Sequence, residues 1–488
     1  MRLGESWYQK RKEEVRMKKR LSEKLVVTLA ALLIVLGAFC LIGKAFAVDD
    51  NVKNETVNNK AVADNSERVE SGTKIDDIKL SNSELMDFVK RYDENGDGYI
   101  SESEAAEVSS IYSSTETSQA DLDTLLKLCP NVVDITCDFG SLKEISFPEN
   151  NSINSLNIKT KAEAQVSVSG LKNKIDNLSY TTYGSKKYTF DFAKCSVYKN
   201  ADIANISGSQ INGVECLDAS VSNLYVENTS INNFNMTSNN KIKNVYTVYN
   251  KKLKSVTIEN CPELSLISCI SGAVTKLDIN GCGKLDYLYC DENKLTKLDI
   301  SKFKNLKDIG CGKNKLTKFD ISKNKKLETI FCNDNKLKEL NISRNKQLTY
   351  LDCSGNKLNK LNVTSNKKLN KLLCYGNKFT KINLSRNKNL NSITLNTSYK
   401  LLSSCIPSAS KENKNKININ IKKGTKLNLI QYAPALKKAK FSVAKKGSKY
   451  ITVNKKGVIN VKRQKSHIKR SVTAILNKTE YRFVVTGF

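Results

Sequence analysis

Leu285-x-x-Leu288-x-Cys290-x-x-Asn293-x-Leu295-x-x-Leu298-x-Ile300 is written once and then again every 21 residues as far as about residue 390. Cys290, Cys311, Cys332, Cys353 and Cys374 form one series at that step, and Asn293, Asn314, Asn335, Asn356 and Asn377 form another. A fixed period of this length marks a chain wound into a solenoid, in which each coil is too small to bury its apolar side alone. Equivalent positions of successive coils stack, so a recurring residue becomes a ladder. At an inward strand position Cys serves as a small hydrophobe. Asn at a buried bend predicts side-chain bonds to backbone groups that the bend would otherwise leave unpaired. Rungs about 4.8 Å apart with parallel Cβ vectors give poor disulfide geometry, so the thiols are expected to be free.

The same step carries Cys290 back to Cys269, Cys282 back to Cys261, and links Cys195 with Cys216. Each period holds two short apolar runs, Leu288/Cys290 and then Leu298/Ile300, which predict two strands per coil. Pairs such as Val256/Ile258, Phe234/Met236, Leu224/Val226, Leu156/Ile158, Ile145/Phe147 and Ile135/Cys137 continue the half-period backwards. The solenoid is therefore placed at 129–404, with about a dozen coils on this spacing. Lengths vary and asparagines are missing between 160 and 215.

With its L-x-x-L-x-C-x-x-N-x-L core, the repeat resembles the leucine-rich repeat. The alternate half, Leu-x-x-Leu-Asp-Ile-Ser-x-Asn, resembles the doubled 21-residue class of bacterial surface proteins. That resemblance implies a mainly β leucine-rich-repeat solenoid with few helices, preceded by a helical cap and followed by a small β-sandwich, and a role in binding.

Ahead of the repeats, Lys10 to Lys24 is basic, Leu25 to Gly43 is apolar, and Ala45-Phe46-Ala47 precedes Val48-Asp49-Asp50. This order predicts a signal peptide over 1–47, and the protein is expected to be secreted or on the cell surface. An uncleaved leader of this length would instead be a membrane anchor. Residues 48–79 read as a disordered acidic linker, with a helix capped by Ser81 beyond it.

Asp93-Glu94-Asn95-Gly96-Asp97-Gly98-Tyr99-Ile100-Ser101-Glu102-Ser103-Glu104 matches D-x-[DN]-x-[DN]-G-x5-E at every specified position. The match is to the EF-hand calcium loop. Asp93, Asn95 and Asp97 supply side-chain oxygens, Tyr99 its carbonyl, Ser101 the water-mediated position, and Glu104 two closing oxygens. Ile100 stands where such loops pair through a short β-bridge, yet no second loop is visible. Calcium is the expected cofactor, as a structural site in an EF-hand and helical cap over 80–128. No other metal is expected, since a ladder of single cysteines does not close a tetrahedron.

Residues 414–488 alternate with period two, as in Ile417-x-Ile419-x-Ile421 and Phe441-x-Val443, and predict six or seven short strands. Lys423-Gly424, Tyr450-Ile451-x-Val453 and Gly457-Val458-Ile459 resemble the bacterial Ig-like (Big) domain. No sorting motif precedes Phe488.

Charge is uneven. Residues 48–125 hold 19 acids against 7 bases, whereas the chain as a whole carries +31. The basic remainder makes an anionic wall polymer a second class of partner, held electrostatically. Nucleic acid is not expected, given the compartment. His467 is the sole histidine, with no acid beside it in sequence, and G-x-S-x-G, P-loop, G-x-G-x-x-G and H-E-x-x-H are absent. The chain is therefore read as a binding protein and not an enzyme. A carbohydrate-active enzyme built on paired carboxylates ranks third. Outward positions beside the Cys ladder carry Tyr287, Tyr289, Phe331, Tyr350 and Tyr375, the candidate contact residues for a protein or glycan ligand. Cross-strand packing is the competing role for these rings.

Overall fold

The computed structural model describes residues 72–148, 152–171, 175–195, 197–198, 201–215, 220–379 and most of 381–390, then strand backbones between 392 and 487. The leader, the linker to residue 71, Cys216 and His467 lie outside the described residues. Among the described residues no helix is long and apolar enough to cross a membrane.

The chain is a mainly β solenoid of about twelve coils with few helices. From β4 (Asp134–Asp138) onward its main sheet adds one parallel strand per coil as far as Ser392–Asn396. Within each strand the residues alternate. Ile135, Leu156, Leu178, Leu288, Ile309, Ile330 and Leu351 point inward in register and are almost fully buried. Two positions later the second inward column is the Cys ladder, from Cys269 to Cys374, also fully buried. All eleven described cysteines are free and buried.

Backbone twist closes each coil the same way. Residue 271 and its equivalents have positive φ: Ser271 60°, Glu292 59°, Lys313 52°, Asp334 50°, Gly355 64° and Gly376 70°. Only the last two are glycines, although the left-handed region costs other residues roughly 1–2 kcal/mol. Inter-coil bonds offset this, Glu292 N–H donating to Gly312 O at 2.9 Å and Lys313 N–H to Asn333 O at 2.8 Å.

The second strand expected in each coil forms in the earlier ones and again at Lys381–Ile382, which pairs in parallel with Lys400–Leu401. Asn233–Thr237, Ser255–Glu259 and Lys276–Asn280 make a three-stranded parallel sheet. Between 297 and 379 no strand occupies the corresponding positions among the described residues. There the chain turns directly after the last apolar residue, Phe303 N–H reaching Ile300 O at 3.1 Å. The Ile300 carbonyl is then taken by a side chain of the next coil, Asn324 Nδ2 at 2.7 Å, and not by a strand partner.

Between 160 and 215 the register shows how length varies. Ser155 pairs with Asn177, Asn177 with Ile203 and Ile203 with Asn223, so the middle coil is the longest. Tyr180, Phe190, Phe192 and Tyr198 fill its wider interior, all fully buried, with ring centroids 4.8 to 6.0 Å apart.

The cap begins earlier than the linker reading placed it. β1 (Gly72–Lys74) pairs antiparallel with β2 (Tyr99–Ser101), setting Thr73 opposite Ile100. Ile100, expected to pair through a short β-bridge, thus pairs with this strand. α1 (Ser83–Lys90) is capped by Asn82, whose Oδ1 accepts from Glu84 and Leu85 N–H. The expected cap, Ser81, is engaged elsewhere: its hydroxyl and N–H both donate to Asp121, at 2.6 Å. α2 (Glu102–Glu107) leads to an unanticipated strand, β3 (Ser110–Glu116), and then to α3 (Gln119–Leu128). β3 pairs in parallel with β4, so the cap supplies the first rung of the main sheet.

At the other end Asn415–Ile421 pairs in parallel with Ser392–Asn396, and the sheet continues into the C-terminal segment. Ile468–Leu476 and Thr479–Gly487 form an antiparallel pair, and the latter runs parallel to Asn415–Ile421.

Candidate binding face and cap loop

Residues that flank the inward columns lie on the opposite face of the sheet, which puts Tyr287 and Tyr289 on either side of buried Leu288. In-register pairing extends this face across the coils. Tyr287 aligns with Asp308, Thr329 and Tyr350, while Tyr289 aligns with Gly310, Phe331 and Asp352. All five predicted residues, Tyr375 included, lie on this one face and are half-buried. Phe331 and Tyr350 meet edge-on with centroids 4.8 Å apart, and Lys371 Nζ stands 4.5 Å from the centre of the Tyr350 ring. Cross-strand packing and exposure are therefore both realised by the same rings.

Between the two aromatic groups the space over Gly310 is filled by neighbouring side chains. A Cβ on Gly310 would lie 2.3 Å from Asp291 Oδ2 and 2.9 Å from Tyr289 Cδ1, so only glycine lets those side chains settle there. Asp291 and Asp352 line this part of the face and are nearly buried. Asp352 Oδ1 accepts from Ser354 N–H at 3.0 Å and from its hydroxyl at 2.6 Å. Burial nevertheless dominates and lifts the Asp352 carboxyl to about 6. Burial also raises the phenols of Tyr287 and Tyr375.

The sequence reading missed a second aromatic pair. Tyr225 and Tyr246 stack in adjacent coils, centroids 4.4 Å apart and rings parallel within 1°. Tyr225 stands between inward Leu224 and Val226 and is only 3% exposed, so its ring offers little surface beyond the stack. Toward the cap, Tyr183 donates its hydroxyl to Asp138 at 2.8 Å, and Lys159 Nζ closes on the same carboxylate at 2.9 Å. These residues belong to irregular coils, where no period marked them.

In the cap, the 93–104 loop is organised around its own N–H groups. Asp97 N–H donates to Asp93 Oδ1 and Asn95 Oδ1, Gly98 N–H to Asp93 Oδ2, and Tyr99 N–H to Asp97 Oδ1, at 2.8 to 3.1 Å. Gly96 and Gly98 have φ of 72° and 82°, which the sharp turn requires. Glu104 reaches back across the loop, accepting from Glu94 N–H at 2.9 Å and Ser101 N–H at 2.8 Å. These bonds, that from Ser101 N–H above all, hold its carboxyl below the ordinary range. Among the described residues no three His, Cys, Asp or Glu side chains stand together as a metal cluster. The loop's donor set also includes the Asn95 amide oxygen and the Tyr99 carbonyl. Oxygen-only donors on a glycine-turned loop fit a hard cation.

No family model matches the chain, and no curated protein sequence matches it. Among solved structures it is similar to the functional domain of InlJ from Listeria monocytogenes, which includes a cysteine ladder. That likeness has 16% identity and a TM-score of 0.39, covering 86% of this chain and 98% of that one. It is also similar to the LRR protein LIC12759 of Leptospira interrogans, at 16% identity, 60% and 88% coverage and a TM-score of 0.38. InlP of Listeria monocytogenes follows at 12% identity, 86% and 99% coverage and a TM-score of 0.28.

Proposed function

We propose that this chain is an exported, non-catalytic binding protein that recognises a protein or glycan ligand on a cell surface through the aromatic face of its main sheet. One observation carries this reading: half-exposed rings from successive coils share one face of a hydrogen-bonded ladder. Rigid aromatic side chains bring large contact area at small entropy cost, and such residues dominate recognition surfaces. Two low-lying aspartates, Asp291 and Asp352, add polarity between the rings. Residues 93–104 are read as a structural calcium site that braces the cap against the first rung of the sheet, with Asp93, Asn95, Asp97, Tyr99, Ser101 and Glu104 as its donors.

Binding of the purified protein to a panel of extracellular proteins, surface glycans and bacterial cells, repeated across a salt series, tests the proposal. Retention of a defined member at high salt supports it. Uniform loss of every interaction as salt screens charge points instead to electrostatic attachment alone.

A further inference from the structure

We infer that a second surface, the turn that follows residue 300 and its equivalents, binds a linear, flexible polyanion that carries no aromatic bases. This goes beyond the aromatic face and does not depend on it.

Lys304, Lys325, Lys346 and Lys367 occupy one position in four successive coils, and all are exposed. Each lies directly after a buried residue of the core: Phe303, then Asn324, Asn345 and Asn366. Those asparagines bolt the turns together. Asn345 Nδ2 donates to Asn324 O, and Asn366 Nδ2 to Asn345 O, both at 2.8 Å. The lysines therefore form a comb with one cation per coil, about 4.8 Å apart. Arg344 and Arg386 extend it on one side, Lys326 and Lys368 on the other.

Most surface lysine runs are merely solvated and charge-balanced, but here the balance is withdrawn over the last two coils. Asp299 and Asp320 each cap the turn, Oδ1 accepting from Ser301 and Ser322 N–H at 2.9 Å. In the next two coils Asn341 and Asn362 make the same bond, to Ser343 and Thr364 N–H at 3.1 Å. The turn keeps its geometry while the carboxylate disappears. Support for the cations is neutral as well: Lys326 Nζ donates to Asn305 Oδ1 at 2.7 Å and Lys368 Nζ to Gln347 Oε1 at 2.5 Å. Ion pairs such as Lys307–Asp286 and Lys313–Glu292 lie at other positions of the coil. At Lys346 and Lys367 the comb is thus held in place by turns that carry no capping carboxylate. The ring nearest to it, Phe303, is buried, so these turns offer no stacking platform of the kind that single-stranded nucleic acids use.

The test measures long-chain inorganic polyphosphate binding to the full chain across a salt series, against a K325Q/K346Q/K367Q variant and a control. The control, K315Q/K336Q/K357Q, removes equal charge from another exposed column. The comb variant is expected to bind about tenfold more weakly, with the salt slope reduced by about two, while the control stays within about twofold. K346Q alone, expected to give about a third of the slope change, guards against misfolding of the triple variant. Equal weakening by the comb and control variants would show a response to net charge only and overturn the inference. So would tighter binding of oligothymidylate of matched charge than of polyphosphate.

Discussion

Asn314 joins two coils at once: its Nδ2 donates to Cys290 O at 2.9 Å, and its Oδ1 accepts from Leu295 N–H at 3.0 Å. Asn335, Asn356 and Asn377 repeat both bonds one coil further on. The side chain thus pairs backbone groups of a largely buried bend.

Replacing Asn335 by Ala leaves the Leu316 N–H without its bond inside the core, and the Cys311 carbonyl with only the longer one from Asn314 Nδ2 at 3.2 Å. Buried groups left in this way cost about 1–3 kcal/mol each. Asn335→Ala is expected to lower stability by about 3 kcal/mol, read from the denaturant midpoint. A shift under about 0.5 kcal/mol, the scale of ordinary surface substitutions, would show that the ladder is not bearing these groups.

Burial holds the ladder thiols as neutral SH groups. Cys269 is pushed up to about 12, and Cys290, Cys311, Cys353 and Cys374 well above the usual thiol range. Since the thiolate is the reactive form, a disulfide-exchange reagent at pH 8 should leave them unmodified in the native protein and titrate them in denaturant. Rapid native-state labelling at Cys311 or Cys332 would contradict the packing.

Asp352 makes stability depend on pH. Its folded value of about 6 lies above the ordinary carboxyl value, so the folded state binds the proton more tightly than the unfolded one. The stability this gives is fully present below about pH 4 and is lost as pH rises to about 6, a change of order 2 kcal/mol. Asp352→Asn retains an oxygen for Ser354 without the charge. It should raise the melting temperature at pH 7 and change it little at pH 4. No gain at pH 7 would show that the carboxylate is already compensated.

Calcium should raise the thermal midpoint of the cap, and Glu104→Gln should abolish that gain by weakening the closing donor. A midpoint that is the same in chelator and in millimolar calcium would remove the proposed brace.

The regular coils were largely legible because one residue type at a fixed step betrays stacking. Periodicity does not reveal what each side chain bonds to. Asn324, Asn345, Asn366 and Asn387 recur at the same step, yet their effect is to consume carbonyls at the end of a run that reads as a strand. Alternation at Leu298/Ile300 records only which residues face inward. In the cap, Ser81 and Asn82 are both good N-caps by type. The choice between them is made by Asp121, 40 positions away, which no local pattern displays. On the candidate face, Tyr287 and Tyr350 were placed by simple alternation. The Tyr225–Tyr246 stack needed the register of irregular coils.

Binding by the aromatic face is tested most directly by comparing the wild type with Tyr289→Ala/Phe331→Ala/Tyr350→Ala on the panel ligand retained at high salt. Loss of about 2 kcal/mol or more, the scale of aromatic anchors at binding centres, with the Cys-ladder thiols still protected, is the predicted result. Unchanged affinity in a folded triple variant would contradict the account and place recognition elsewhere on the molecule.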